Sequence, residues 1–187
     1  EINPITYYLK SKNKITYLIK NSSQIITSSK KLIDICNDIS NKNNSYYIPP
    51  GMDIKRYLPS IDYQKKEKIT IGWTGTFTSK KYLTEIIPIL KKLNKVRNVK
   101  LLLITNFEFS IDDIELELIR WTKEREIEDL LKIDIGIYPL IDEKWVEGKS
   151  GLKALQYMAL GIPTVASNIG NTLEVINHME NGILVNS

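Results

Sequence analysis

KITIGWTGTFTSKKYLTEIIPILKKLNKVRNVKLLLIT, residues 68–105, decides the fold. Lys68 to Trp73 is rich in β-branched side chains and predicts a strand. Gly72 to Ser79 reads as a loop of glycine and threonine. From 80 to 95 the apolar residues Leu83, Ile86, Ile87, Leu90 and Leu93 recur at helical spacing and share one face. Pro88 inside that helix is expected to kink it or break it locally. Val99 to Thr105 is continuously apolar, as a strand covered on both faces must be. Strand, loop, helix and strand in this order make one parallel crossover unit.

The same alternation continues to the end of the chain. Leu116 to Trp121 is a strand candidate whose helical alternative is close. Glu124 to Leu131 predicts a short helix and Ile133 to Tyr138 a strand. A helix over 149–160 is stopped by Gly161 and Pro163. Pro163 to Ser167 is a strand, Thr172 to Asn177 a short helix and Gly182 to Val185 a last strand. Strands and helices alternating at this spacing predict an α/β fold with a doubly wound parallel sheet and right-handed crossovers. Upstream, residues 1–23 have helical spacing, Gln24 to Thr27 is a short strand, and Ser28-Ser29 caps a helix running to about Asp38. A polar loop over 41–44 leads to a strand at Tyr46 to Ile48, stopped by Pro49-Pro50-Gly51. Residues 53–67 are polar and basic and read as a connector.

Composition is ordinary for a globular protein, with 42% hydrophobic and 26% charged residues and a net charge of +4. The lysine doublets 65–66, 80–81 and 91–92 read first as solvated faces; a weak attraction to phosphates or to an anionic membrane surface is the secondary reading. The single cysteine, Cys36, excludes an intrachain disulfide, fits a reducing compartment and reads as a buried thiol. With one histidine, His178, a zinc site or a Cys-His dyad lacks partners. No apolar run is long enough to span a bilayer, and no signal peptide is expected. The first residue is not Met and lies in sequence that looks structured, so a fragment is expected.

Three segments carry candidate chemistry. Gly72-Trp73-Thr74-Gly75-Thr76 follows a strand and turns its backbone amides toward a helix start, where an anion can bind; a structural turn explains it equally well. Gly148 to Pro163 is the stronger signal. Helical spacing places Lys149, Lys153 and Gln156 on one face, and Leu152, Leu155 and Ala159 on another. Two lysines four apart at a helix N-terminus repel each other and oppose the dipole, unless an anion such as a diphosphate sits between them. Solvated lysines are the plainer alternative. Ser167 to Glu174 links a strand to a helix; its amides could hold a phosphate or a sugar hydroxyl, while Asn171 or Thr172 could serve only as N-cap.

Together with Ile48-Pro49-Pro50-Gly51-Met52-Asp53, Asp134-Ile135-Gly136-Ile137-Tyr138-Pro139 and Asn181-Gly182-Ile183-Leu184-Val185, these segments resemble the retaining nucleotide-sugar glycosyltransferases of family 4, the glycosyl transferases group 1 type with the GT-B fold. The match runs from about residue 45 to the end, and its most specific block is Ala154 to Ser167. The resemblance implies a Rossmann-like C-terminal domain over 68–187 that binds the donor. Residues 45–67 would be a strand and interdomain connector, and residues 1–44 a remnant of the N-terminal acceptor domain. The rest of that domain, and a C-terminal helix crossing back onto it, would lie outside this sequence, leaving the fragment alone inactive.

By that resemblance Gly75, Thr76, Lys81, Lys149 and Lys153 lie near the donor diphosphate, Gln156 near the ribose hydroxyls, and Asn168, Gly170, Asn171 and Thr172 near the diphosphate and the transferred sugar. This sequence departs from the family in having Thr76 where an arginine is common, Gln156 for the second of two glutamates, and Gly148 for the first. Glu147, beside Gly148, and Lys153 are then the catalytic candidates. The implied activity is transfer of a hexose from a UDP- or GDP-type sugar to a glycan or lipid acceptor with retention, as in polysaccharide biosynthesis. It implies no metal, no other cofactor and no nucleic-acid partner. The expected location is cytoplasmic, with peripheral contact at the inner face of the membrane through the missing N-terminal part. A nucleotide-sugar epimerase of the same fold, and a non-catalytic sugar-nucleotide-binding subunit, are the alternatives.

Overall fold

The computed structural model describes residues 12–59 and 66–186. The first half of the expected N-terminal helix, and residues 60–65 of the expected connector, lie outside the described residues. The chain opens with helix α1 (Lys12–Asn21), strand β1 (Ile25–Thr27), helix α2 (Lys30–Ser40) and strand β2 (Ser45–Tyr47). Ser29 caps α2, its hydroxyl accepting from the Leu32 amide. The strands β1 and β2 pair in parallel as a small sheet.

The main body holds β3 (Ile69–Gly75), α3 (Lys80–Val96), β4 (Val99–Thr105), β5 (Glu115–Arg120), α4 (Glu126–Leu130), β6 (Ile135–Tyr138), α5 (Lys144–Glu147), α6 (Leu152–Ala159), β7 (Thr164–Ser167), α7 (Thr172–Val175) and β8 (Ile183–Val185). Its six strands are all parallel, in the order β5-β4-β3-β6-β7-β8. The fold is therefore α/β with an open parallel sheet. The chain builds outward from β3 to β5 and then returns to the other side of β3 as β6. That reversal puts a crevice at the carboxyl ends of β3 and β6, where open α/β sheets bind ligands.

Strand β4 shows why the sheet must be covered on both faces. Leu101 and Leu103 pack with Ile71, Trp73, Leu83 and Leu90 under α3. Leu102 and Ile104, one residue out of phase, pack with Ile133, Tyr157, Leu160 and Ile162 under α6. All four β4 side chains are buried, and alternation along a strand leaves no other arrangement. Two expectations change. Strand β3 continues through Gly75, because Thr74 and Gly75 pair with Ile104 and Thr105 of β4. Helix α3 runs through Pro88 without a break; Leu83 and Leu90, buried on either side of it, anchor both halves to the sheet.

Two glycines are fixed by close packing. A Cβ on Gly72 would lie 2.2 Å from the Ile133 side chain, and one on Gly136 would lie 2.6 Å from the Tyr157 ring. Gly136→Ala is therefore expected to cost about 1–3 kcal/mol by overpacking. Chemical denaturation of the variant beside the parent checks this, and an unchanged midpoint would refute the contact.

Candidate active site

The crevice at the β3–β6 reversal is a cleft of about 660 Å³. Thr74, Gly75 and Thr76 line it from the end of β3, Asn106 and Trp121 from the ends of β4 and β5, and Tyr138 from the end of β6. Gly148, Lys149, Ser150, Leu152, Lys153 and Gln156 close it from below, Glu126 stands at one end, and Ser28 enters from the small sheet.

Lysines dominate one end. The ammonium of Lys153 lies 5.1 Å above the Trp73 ring, and that of Lys149 lies 4.8 Å above the Tyr82 ring. Each sits on the negative face of an aromatic system, which attracts a cation. Neither forms an ion pair with a described carboxylate, although Lys81, Lys30 and Lys31 nearby do. Burial, with the Lys149 charge beside it, holds the Lys153 pKa down at about 8. Burial, and then the Lys81 charge, lowers that of Lys149 as well. Both are cations short of countercharge, and burial disfavours their charged forms.

The geometry differs from the helical face read in the sequence. Lys149 precedes α6, because Gly151 takes φ +75° at its N-cap and turns the chain. The lysines converge through that turn, not through one helical face. The amide reading of the β3 loop also changes. The Thr74 amide donates to the Tyr157 hydroxyl, that of Thr76 to Ser79 Oγ, and that of Phe77 to Asn106 Oδ1. The loop spends these amides on its own shape. A Cβ on Gly75 would lie 2.1 Å from the Trp73 ring, so packing demands glycine there.

The other candidates spread around this centre. Lys81 is paired with Glu143 through both carboxylate oxygens, which raises its pKa. Asn168 is exposed and donates to Asn186. The buried hydroxyl of Thr172 donates to the Ser167 and Ile169 carbonyls. Asn171 is buried; its amide donates to the Ser150 carbonyl at 2.8 Å, the Ser28 carbonyl at 3.4 Å and the Tyr47 hydroxyl at 3.4 Å. It thereby joins the small sheet to the large one. Gly170 takes φ +59°, and a Cβ there would meet the Val146 carbonyl at 3.1 Å. Gly170, Asn171 and Glu147 line a second, smaller hollow with Lys30 and Lys31. Glu147 thus stands between the two hollows, one residue from the main cleft.

Sequence reading missed a group at the opposite end. Gln156 Nε2 donates to the Tyr57 hydroxyl at 3.0 Å, which donates to Glu126 Oε2 at 2.9 Å. Trp121 Nε1 donates to Glu126 Oε1 at 3.0 Å. No local pattern announces partners this far apart in the chain. Among the described residues, no three His, Cys, Asp or Glu side chains gather as a metal site would require, and no helix is long and apolar enough to cross a membrane.

Residues 68–187 match the family model described as glycosyl transferases group 1. A Methanocaldococcus jannaschii protein named uncharacterized glycosyltransferase MJ1607 is 25% identical, over 88% of this chain and 47% of its own length. The crystal structure of Anabaena Alr3699/HepE with UDP and glucose superposes with a TM-score of 0.67 at 15% identity, over 90% of this chain and 50% of that one. The structure of TarM superposes with a TM-score of 0.67 at 18% identity, over 94% of this chain and 36% of that one. The chain spans about half the length of the curated relative it matches.

The Lys153 amine is expected to titrate near pH 8, ahead of the solvated lysines, in an isotope-edited lysine NMR titration. Its folded pKa lies below the 10.5 of the unfolded chain, so the unfolded state holds the extra proton between those values. Its contribution to stability therefore rises with pH from about 8 to 10.5. Lys153→Gln should remove both effects, and titration of Lys153 above pH 10 would contradict the burial argument.

Proposed function

Because the chain belongs to the glycosyl transferases group 1 family, we propose that its main cleft binds the diphosphate of a nucleoside-diphosphate sugar and that the protein transfers the sugar to a glycan or lipid acceptor. The reading rests on one observation: Lys149 and Lys153 converge, without an ion-pair partner among the described residues, at the carboxyl edge of the sheet where the strand order reverses. A diphosphate there restores the countercharge that burial withholds. During transfer the sugar–phosphate bond breaks and negative charge grows on the leaving diphosphate. Ammonium groups already in place stabilise that growing charge more than they stabilise the ground state. The Anabaena protein that shares the fold holds UDP and glucose, which supports a nucleotide sugar as ligand.

The resemblance to family 4 supports retention at the anomeric carbon. In this proposal the sugar lies toward Glu147 and Gly170, between the two hollows, and the acceptor approaches from the side of the small sheet. Glu147 is the carboxylate nearest that position along the chain. Its ion pair with Lys31 is loose, at 3.7 Å, so the carboxylate can turn to a ligand at little cost.

Calorimetry with UDP, GDP and ADP, each beside its nucleoside, tests the site. Lys153→Ala is expected to weaken the diphosphate by about 10-fold or more while leaving the nucleoside within about threefold, since only a charge-assisted contact is lost. Equal losses for both ligands would refute the diphosphate role. Incubating the protein with a panel of nucleotide sugars separates the activities. With the intact full-length protein, free nucleoside diphosphate supports transfer or its hydrolytic side reaction, an epimerised donor points to the epimerase alternative, and binding without turnover points to a non-catalytic subunit.

A further inference from the structure

The cleft is electrically polar along its length. Lysines 149 and 153 crowd one end, and Glu126 is the single carboxylate among its described lining residues, at the other. Gln156 stands between them, one helical turn after Lys153 on α6, so their side chains lie about 5–6 Å apart at Cβ. From Gln156 a hydrogen-bonded chain runs through Tyr57 to Glu126.

The direction of these bonds matters. Gln156 spends one amide hydrogen on Tyr57, which leaves its Oε1 available as an acceptor. Tyr57 and Trp121 each donate to a different oxygen of Glu126, which fixes the plane of the carboxylate. Each oxygen still has a second lone pair. The result is two acceptors, one neutral and one charged, joined through a nearly buried tyrosine that is 8% exposed. Acceptors paired in this way match a ligand that offers two adjacent hydroxyl groups. Next to a diphosphate seated on Lys153, the part of a nucleotide at this distance is the ribose. Trp121, at the same end of the cleft and 45% exposed, leaves an apolar surface for whatever the ribose carries.

Resting on the donor reading above, we propose that Glu126, positioned by Tyr57 and Trp121, is the charged acceptor for the ribose diol and makes the site selective for ribonucleotides over deoxyribonucleotides. Gln156 Oε1 takes one hydroxyl and Glu126 the other. The charged partner carries most of the discrimination, because a hydrogen bond to a carboxylate is about twice as strong as a neutral one. A 2′-deoxy ligand leaves one of these acceptors desolvated and unpaired.

The test compares UDP, GDP and ADP with their 2′-deoxy counterparts by calorimetry, on the parent and on Glu126→Gln. The parent should prefer each ribonucleotide by about 10-fold, and Glu126→Gln should bring each pair to within about threefold, with the deoxy affinity unchanged. Tyr57→Phe keeps the carboxylate but removes one of its anchors, and should lose part of the preference. That variant also carries the test should Glu126→Gln fail to fold. A preference that survives Glu126→Gln overturns the proposal. So does an equal loss for ribo and deoxy forms, or a loss confined to one base, which would make Glu126 a base contact. In each of those cases the diphosphate site still stands. If the parent binds none of the nucleotides, the donor reading fails and this inference fails with it.

Discussion

A lysine pressed onto a tryptophan face, with no acid among the described residues to meet it, is the constraint around which this site is arranged. Packing alone would favour an apolar side chain at this position, and Ala154 and Tyr157 on the same helix are buried. Lys153 instead puts an ammonium there and lowers its own pKa to about 8 by doing so. The aromatic face recovers part of the lost hydration, about 0.5–2 kcal/mol in such contacts. In the proposed function a bound diphosphate offsets the remainder. A fold keeps a charge in that condition where binding repays it, and perturbed lysines in clefts cluster at working sites for this reason.

The surrounding packing serves to hold that contact in place. Trp73 can lie flat under the lysine only because Gly75 offers no Cβ to its ring. The end of β3 is tied down by the Thr74 amide on the Tyr157 hydroxyl, and the Tyr157 ring sits where Gly136 leaves room. Burial raises the Tyr157 pKa, so its hydroxyl stays neutral as an acceptor for that amide. One helix, α6, therefore supplies the lysine through Lys153 and the brace through Tyr157, four residues and about one turn apart. A shift of α6 would move both the charge and the strand end it faces.

Much of the fold was legible because periodicity reports burial. The run Val99 to Thr105 reads as a doubly covered strand, and it is one. The apolar stripe of residues 80–95 marks α3, which in fact ends at Val96. Leu116 to Trp121 was ambiguous in sequence and forms β5, since pairing with β4 decides what six residues of propensity cannot. Helix α5 escaped notice because four residues carry no period. Lysine placement was half legible: the residue types at 149 and 153 pointed to an anion, but a helix drawn from 149 overlooked what Gly151 does at φ +75°. The loop amides misled for a related reason. A glycine and threonine turn looks open in sequence, and Ser79 and Asn106 fill it in space. Tyr57, Trp121 and Glu126 were invisible, because their meaning lies in hydrogen bonds between segments 5 to 99 residues apart.

The departures at Gly148 and Gln156 look different once the neighbours are in view. Glutamine at 156 lacks charge, but it does not stand alone: Tyr57 hands its hydrogen bond on to a carboxylate on α4. The cleft keeps an acid at that end, displaced from one helix to another. Gly148, by contrast, is not explained by packing. A Cβ there would meet Leu32 of α2 at 3.5 Å and the Trp145 carbonyl at 3.6 Å, contacts that are ordinary and not forbidden. Space therefore does not require glycine at 148. Close by, Ser29 donates to the Glu147 carbonyl at 2.9 Å and Asn171 to the Ser150 carbonyl at 2.8 Å, so the segment carrying Gly148 is held from both ends, against the small sheet and against α7. Position 148 thus lies between Glu147, which lines the smaller hollow, and Lys149, which lines the main cleft.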